Sequence, residues 1–242
     1  MRALILILGE SFRMGFQYTR VRGTPESYDE QIKASESHVA FLKHISQKYA
    51  MTSISVFIAT YTTPFDAKLL DVYRDYKTGH QIYHDVVGLN TLFHNSLKYI
   101  REKSTITDFR QAYDCVLYFR IDLFLKADFI DRFDPRSELI LYPCVCFIPY
   151  HRVDNDPRVN DTMMFIPRRL FSHLSSIAIC HESWHFLVTN SGLTYNDLGT
   201  MILTYHDSDS YKDWNPLYYI VNREQNATFH SAGHKFDKWR FP

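Results

Sequence analysis

The stretch Asp114 to Lys126 reads Asp-Cys-Val-Leu-Tyr-Phe-Arg-Ile-Asp-Leu-Phe-Leu-Lys and decides the predicted fold. Cys115 to Phe119 is a continuous apolar run with β-branched and aromatic residues, which predicts a strand. A run without alternation is typical of a parallel strand whose sheet is covered by helices on both faces. Arg120 and Asp122 follow directly, where an open α/β sheet binds its ligand. Because buried unpaired charges are costly, these two side chains either pair with each other or face a crevice that holds a charged ligand.

Apolar runs and helix signals alternate over the first two thirds of the chain. Ala3 to Leu8 predicts a first strand in a central position, and Ser53 to Thr60 predicts a second. Between them, Thr24 as N-cap and Pro25 at the first helical position predict a helix that extends to about Tyr49. This alternation indicates an α/β fold, with a single Rossmann-type domain and a mainly parallel central sheet flanked by helices. Further elements are predicted as a helix from Asp66 to about Tyr76, a short strand at His80 to Tyr83, helices at Leu89 to Arg101 and Asp128 to Phe133, strands at Leu139 to Ile148 and Thr162 to Ile166, a helix after Pro167, and helices at His181 to Thr189 and Asn196 to Tyr205.

Composition and charge narrow the possible functions. The 242 residues are 45% hydrophobic and 22% charged, which is ordinary for one globular domain, predicted to span residues 1–242. Lys+Arg and Asp+Glu are both 27, so no strong net field attracts nucleic acid or an anionic membrane. All four cysteines lie in apolar stretches, which predicts reduced, buried thiols. The first apolar run is too short for a signal peptide or a membrane span, so we expect a cytoplasmic location.

Three arginines follow the predicted first strand. Arg13 lies in the loop after that strand, Arg20 and Arg22 come shortly before the predicted helix, and a loop that leads into a helix start is suited to bind an anion. These arginines either bind phosphate or are solvated on the surface. The chain has no Gly-Lys-Ser/Thr phosphate loop, no GxSxG nucleophile elbow and no GxGxxG fingerprint.

Carboxylates and histidines are distributed over the rest of the chain. A carboxylate at a strand end can hold a divalent cation that bridges phosphates, and a second carboxylate can deprotonate an acceptor hydroxyl. Because the leaving group in sugar transfer is a diphosphate, neutralising its charge is the main electrostatic task. Basic groups, a metal-binding carboxylate and a base together are the equipment of a sugar-nucleotide transferase. The acidic candidates outside the central strand are Asp154, Asp156, Asp161, Asp207 and Asp209, and His206 accompanies the last two.

A second hypothesis starts from His181-Glu182-Ser-Trp-His185, which fits the two-histidine zinc motif of metalloproteases. The third ligand would be His206, His230 or His234. This short motif often arises by chance, and a packed or surface histidine pair is the alternative. A module that binds a glycan or a nucleotide without catalysis is the third hypothesis.

Several stretches together resemble one group of enzymes. They are Gly9-Glu-Ser-Phe-Arg13, Ser27-Tyr-x-x-Gln31, Thr60-Tyr-Thr-Thr63, Arg120-Ile-Asp-Leu-Phe124, Asn155-Asp-Pro-Arg-Val-Asn-Asp161, Tyr205-His-Asp-Ser-Asp-Ser210 and Asn215-Pro-Leu-Tyr218. Their combination is similar to the small glycosyltransferases encoded by large DNA viruses of algae and amoebae, over nearly the whole chain. The resemblance implies a GT-A-like hexosyl- or pentosyltransferase that uses a nucleotide-sugar donor and a glycan acceptor on a viral capsid protein, made in the host cytoplasm.

The resemblance also implies roles for single residues. In an Asp-x-Asp pattern the last carboxylate binds manganese or magnesium. Asp122 matches that position, and Arg120 replaces the first carboxylate. His206 is the candidate second ligand of the metal. The acceptor base is expected to be Asp161, with Asp156 as the second choice. The residues expected to bind the donor are Arg13, Arg20, Arg22, Thr60, Arg120 and Asp122. Residues 1–126 are the expected nucleotide-sugar half and residues 127–242 the acceptor half.

Overall fold

The computed structural model describes residues 1–14, 21–103, 106, 108–125, 127–142 and 162–174, together with the backbone of residues 195–197 and 218–220. The strands are β1 (Arg2–Leu8), β2 (Arg13–Met14), β3 (Val21–Arg22), β4 (Ser53–Tyr61), β5 (Lys77–Tyr83), β6 (Cys115–Arg120), β7 (Leu123–Leu125), β8 (Ile140–Tyr142), β9 (Met163–Pro167), β10 (Tyr195–Asp197) and β11 (Tyr218–Ile220). The helices are α1 (Pro25–Lys48), α2 (Asp66–Val72), α3 (Leu89–Lys103), α4 (Phe109–Ala112) and α5 (Ala127–Arg132), and a 3-10 helix spans Arg168–His173.

Seven strands form one sheet in the order β10-β8-β9-β6-β1-β4-β5. Strand β1 is central and pairs in parallel with β4 and β6, and β5 pairs in parallel with β4. Strand β9 is antiparallel to both β6 and β8. The prediction of a single α/β domain with a mainly parallel sheet and flanking helices is therefore confirmed. The predicted halves share this sheet, since β8, β9 and β10 lie beyond residue 126, and their separate roles stay a prediction.

The two faces of β1 explain its continuous apolar sequence. Leu4, Leu6 and Leu8 pack on one face in a cluster that includes residues of α3, whereas Ile5 and Ile7 pack on the other face with residues of α1. All five side chains are at most 1% exposed. Because successive side chains of a strand alternate between the faces, a strand covered by helices on both sides must be apolar at every position.

Helix α1 begins at Pro25, as predicted, and Lys48 is its last residue. Thr24 is its N-cap but makes no side-chain cap bond; its hydroxyl instead donates to the sulfur of Met14 at 3.2 Å. After the C-cap Tyr49, Ala50 adopts a φ of 46°, and the N–H of Met51 donates to the carbonyl of Ser46 at 3.0 Å. This left-handed ending is the usual way to satisfy the last carbonyls of a helix.

Three predicted elements differ from the structure. Helix α2 ends at Val72 rather than near Tyr76, because the chain turns at Tyr73, whose carbonyl accepts from Lys77, the first residue of β5. The helix after Pro167 is a 3-10 helix. The helix predicted at Asn196 to Tyr205 begins within residues 195–197, which instead form β10 and pair in parallel with β8. Here a tertiary contact overrides local helix propensity.

None of the helices in the described part of the chain is both long enough and apolar enough to cross a membrane.

Candidate functional site

The carboxyl ends of β1, β4 and β6 lie at one edge of the sheet. From β1 the chain passes through α1 to β4 on one side, whereas β6 is followed by β8 and β9 on the other side. The strand order therefore reverses between β1 and β6, and open α/β sheets bind their ligands outside such a reversal. We call the residues at this point (9–13, Thr60 and 120–122) the strand-end cluster.

The loop after β1 is fixed to β4 by hydrogen bonds. Gly9 has a φ of 124°, a conformation that favours glycine, and its N–H donates to the carbonyl of Ala59 at 3.0 Å. The N–H of Ser11 donates to Oγ1 of Thr60 at 3.1 Å, and that hydroxyl donates in turn to Oγ of Ser11 at 2.8 Å. Thr60 is fully buried, so its hydroxyl serves this internal connection. The predicted contact of Thr60 with a nucleotide-sugar donor stays a prediction.

Phe12 has a backbone conformation that is rare for a non-glycine residue. Its φ is 48°, and its buried ring packs against Tyr28 and Phe65. Its N–H donates to Oε1 of Gln31 on α1 at 3.0 Å. A left-handed non-glycine residue costs on the order of 1–3 kcal/mol, and such strain is often found where a loop is shaped for a ligand.

Of the three predicted arginines after β1, Arg13 belongs to the strand-end cluster and Arg22 lies opposite it on β3. Nη1 of Arg13 lies 4.0 Å from Oε1 of Glu10, and each side chain is 8% exposed. Strand β2 places Arg13 opposite Arg22 of β3, and the guanidinium carbon of Arg22 lies 5.0 Å from the ring centre of Tyr61, at the end of β4. Arg20 lies outside the described residues. Glu10, whose carboxylate partly neutralises Arg13, was not among the predicted site residues.

Arg120 and Asp122 pair with each other. Nε of Arg120 donates to Oδ1 of Asp122 at 2.9 Å, and Nη2 donates to Oδ2 at 2.6 Å. Asp122 is 2% exposed, whereas the side chain of Arg120 is 16% exposed. The pairing alternative of the sequence analysis is thus present, in a bidentate form that is among the stronger hydrogen-bonded ion pairs. The guanidinium is the more exposed partner of the two.

A row of polar side chains on the buried face of α1 holds the backbone that carries this pair. Gln31 donates from Nε2 to the carbonyl of Ile121 at 2.8 Å, and through its Oε1 it also holds the loop after β1. His38 lies 2.6 Å from the carbonyl of Leu123 through Nε2, and Ser37 accepts from the N–H of Leu125 at 3.0 Å. The sequence signal for these residues is polar side chains among the apolar positions of one helix face, which the sequence analysis did not interpret.

His38 is neutral because of its surroundings. Burial lowers its pKa to about 4, and the bond to the Leu123 carbonyl and the charge of Asp122 offset this only in part. A carbonyl can only accept, so Nε2 carries the proton and Nδ1 accepts from the hydroxyl of Tyr73 at 2.6 Å. Burial raises the pKa of Tyr73, which keeps that hydroxyl protonated. His38 therefore acts as a fixed support and not as a proton shuttle.

The described residues do not confirm the predicted divalent cation. Among them there is no group of three or more His, Cys, Asp or Glu side chains placed to hold a metal ion. Both carboxylate oxygens of Asp122 accept from Arg120, whereas manganese and magnesium need several oxygen ligands. The predicted second ligand, His206, lies outside the described residues, so its role stays a prediction.

Several other predicted site residues also lie outside the described residues. These are the base candidates Asp156 and Asp161, the other acidic candidates Asp154, Asp207 and Asp209, and the zinc-motif residues His181, Glu182, His185, His230 and His234. The same holds for three of the cysteines; the fourth, Cys115, is a buried free thiol, and burial raises its pKa to about 12.

A cavity of about 660 Å³ lies at the opposite edge of the sheet, beside Met1 and Asp114, which precede β1 and β6. Three of its four lining arginines pair with carboxylates: Arg168 lies 3.3 Å from Asp114, Arg136 pairs with Asp134, and Arg169 lies 3.4 Å from Glu138. This cavity lies at the amino ends of the parallel strands. We therefore consider the strand-end cluster the better candidate.

Comparisons with known proteins give weak likenesses. No family model matches the chain, and no curated protein matches it. Among solved structures, it is similar to a glycosyltransferase involved in the glycosylation of the major capsid of PBCV-1, at 8% identity and a TM-score of 0.44, with 90% of this chain and 92% of that chain covered. It is also similar to the galactosyltransferase LgtC in complex with donor and acceptor sugar analogues, at 12% identity and a TM-score of 0.40, covering 91% and 86%.

A third similar structure is the inositol-1-phosphate CTP transferase from T. maritima, at 12% identity and a TM-score of 0.46, covering 100% of this chain and 98% of that chain. The three names do not describe one common activity, and the similarity to each is low. These likenesses therefore carry no argument about function, and the fold assignment above stands on the strand order and register.

Proposed function

We propose that the chain is a GT-A-like glycosyltransferase that moves a hexose or a pentose from a nucleotide-sugar donor to a glycan acceptor. The observation that carries this proposal is the strand-end cluster, where Arg13 follows the loop after β1 and Arg120 is the last residue of β6, on either side of the strand-order reversal. Each arginine is accompanied by one carboxylate, Glu10 or Asp122. Guanidinium groups, which match the oxygens of a phosphate in geometry and charge, are suited to bind a diphosphate.

The two arginines differ from ordinary surface arginines. Both are largely buried, and the backbone around them is held by Thr60, Gln31 and the adjacent strands. Long exposed side chains lose entropy when they bind, whereas side chains already fixed in place lose less. This preorganisation supports a role of the two arginines in binding phosphate over the alternative that they are solvated surface residues.

The proposed reaction follows from the charges. An acceptor hydroxyl oxygen forms a bond to the anomeric carbon, the bond from that carbon to the diphosphate oxygen breaks, and its electron pair remains on the diphosphate. Arg13 and Arg120 stabilise the charge that develops there. The hydroxyl proton passes to a carboxylate, for which Asp161 is our first choice and Asp156 our second.

We further propose that the acceptor is a glycan on a viral capsid protein and that the enzyme acts in the cytoplasm of the host cell. This part rests only on the resemblance of the sequence stretches to viral glycosyltransferases. To test this, the transfer of sugar to capsid protein stripped of its glycans is compared with the transfer of sugar to native capsid protein.

The proposal is tested by incubating the purified chain with a panel of nucleotide sugars, with and without added manganese. A donor that binds the folded state raises the melting temperature, and about 100 times its Kd in ligand adds roughly 2.7 kcal/mol of stability. For each stabilising donor, release of the nucleoside diphosphate is then measured with and without sugar acceptors. We expect at least one donor to stabilise the protein and its diphosphate to be released faster when an acceptor is present. If no donor stabilises the chain or is turned over, the proposal is wrong, and stoichiometric tightly bound zinc would favour a hydrolase built on His181 and His185.

A further inference from the structure

We infer that the outer edge of β5 is an interface between two copies of this chain, which pair their β5 strands antiparallel about a twofold axis at Gln81. The seven-stranded sheets of the two copies then form one continuous sheet. This interface lies outside the strand-end cluster, and the inference does not rest on the proposed function.

Strand β5 ends the sheet on the far side of β4. In the part of the chain that the structure describes, β4 is its one strand neighbour. None of the seven residues of β5 is buried, whereas the last six residues of β4 all are. The main contacts of α3 are with β1 and β4, and those of α2 are with α1. The outer edge of β5 is therefore an exposed row of strand backbone.

The hydrogen bonds to β4 show which backbone groups of β5 point outward. The N–H of Thr62 donates to the carbonyl of Tyr83 at 2.8 Å, so Tyr83 directs its backbone groups towards β4. Because this direction alternates along a strand, Gln81 also faces β4, whereas Ile82 and His80 direct their N–H and C=O groups away from it. Outward backbone groups of this kind are a template for pairing with another strand.

The sequence of this edge lacks the usual features that prevent such pairing. Natural sheet edges are protected by charged side chains, by proline or by bulges. The register with β4 shifts at the start of β5, where Lys77 is opposite Val56 and Gly79 is opposite Phe57. From Gly79 to Tyr83 the pairing is regular, and this segment contains no Lys, Arg, Asp, Glu or Pro.

The regular segment also determines the register between the two copies. Its centre is Gln81, and a twofold axis there places His80 opposite Ile82 of the second copy, so that their outward backbone groups exchange hydrogen bonds. Gly79 is then opposite Tyr83 of the second copy, and a strand glycine leaves room for the ring of an opposing aromatic residue. Gln81 is opposite itself, and two uncharged amides can hydrogen-bond to each other.

The same register brings complementary side chains together beyond the regular segment. The chain that continues past β5 runs beside the start of β5 in the second copy, which places the exposed Asp85 near Lys77 of the second copy. Val86 is 55% exposed, one of two large apolar side chains so exposed among the described residues, and it comes near Tyr76 of the second copy. The edge is thus complementary to itself, which favours a second copy over an unrelated partner.

Sedimentation velocity of the purified chain at concentrations up to about 100 µM tests the inference. One pair of short strands is small beside stable interfaces, which bury roughly 1,200–2,000 Å², so we expect a dimer that dissociates on dilution. His80→Pro removes an outward N–H while it leaves the bonds to β4 in place, and it should raise the Kd of the dimer by about tenfold or more. The control is His80→Ala, which keeps that N–H and should change the Kd much less.

A charge exchange at the twofold axis tests the register. Gln81→Lys and Gln81→Glu each place like charges directly opposite one another, so each should weaken its own dimer by about fivefold. A mixture of the two variants pairs opposite charges and should form a dimer at least as tight as that of the wild type. The control Gln47→Lys makes the same change at an exposed position of α1 and should leave the Kd unchanged.

A wild-type chain that stays monomeric at every concentration would overturn the inference. A dimer whose Kd is the same in His80→Pro and in both Gln81 variants would overturn it too, because the copies would then associate through another surface. Melting curves show which variants are folded, and the mixture of Gln81 variants decides the question even if His80→Pro does not fold. Nucleotide-sugar binding is measured separately, so failure of the dimer leaves the proposed function standing.

Discussion

The buried imidazole of His38 gives a prediction with a defined size. Its pKa is about 4 in the folded protein and 6.5 when unperturbed, so between these values the unfolded chain binds a proton that the folded chain does not. Folding stability therefore falls as the pH decreases from 6.5 towards about 4. The difference of about 2.5 between the two pKa values corresponds to about 3 kcal/mol, the most that this one group can contribute.

The variant His38→Gln removes the titrating group while it keeps an amide that can donate towards the carbonyl of Leu123. It should be less stable than the wild type at neutral pH, because the hydroxyl of Tyr73 loses its acceptor. As the pH falls, the wild type loses the contribution of His38 and the variant does not. We expect the stability advantage of the wild type to shrink by up to about 3 kcal/mol across this range.

Urea denaturation of both proteins at a series of pH values measures this difference. The control is His94→Gln, which makes the same chemical change at an exposed residue of α3. A constant difference between wild type and His38→Gln from neutral pH down to about 4 would falsify the assignment of His38 as a buried neutral support.

Two further substitutions test the scaffold around the site. Gln31→Met leaves the N–H of Phe12 and the carbonyl of Ile121 without their buried partner, and should lower the free energy of unfolding in urea by roughly 2–4 kcal/mol. The control is Gln47→Met, at an exposed position of the same helix. An equal loss in both variants would contradict the linking role of Gln31. Ala50→Gly should stabilise the chain by about 0.5–1 kcal/mol, because glycine adopts the left-handed conformation that ends α1 without the strain of a Cβ atom. A lower melting temperature for Ala50→Gly would show that this helix end is not strained.

The strands and α1 could be predicted because their signals are local. The continuous apolar sequence of β1 reflects burial on both faces, and Pro25 determines where α1 begins. The direction of β9 could not be predicted, since an apolar run fits a parallel or an antiparallel neighbour equally well. Asn196 and Asp197 were assigned to a helix because the pairing of β10 with β8, more than fifty residues earlier in the chain, has no local signal.

The candidate site was predictable in position but not in its contacts. Arg120 and Asp122 were located correctly from the end of an apolar run, and both alternatives for them, pairing or ligand binding, remained open. The structure shows the pair, which a two-residue separation permits but does not require. The roles of Gln31 and His38 were not predicted, because the role of a polar residue on a buried helix face depends on the backbone groups that it contacts.

A crystal structure of the chain with a bound nucleotide sugar tests the central claim most directly. We predict that the diphosphate lies at the carboxyl ends of β1 and β6, within hydrogen-bonding distance of the Arg120 guanidinium and close to Arg13, with the pair between Arg120 and Asp122 intact. A diphosphate bound instead at the opposite edge of the sheet, between Arg168 and Arg169, or one that does not contact Arg120, would contradict the account.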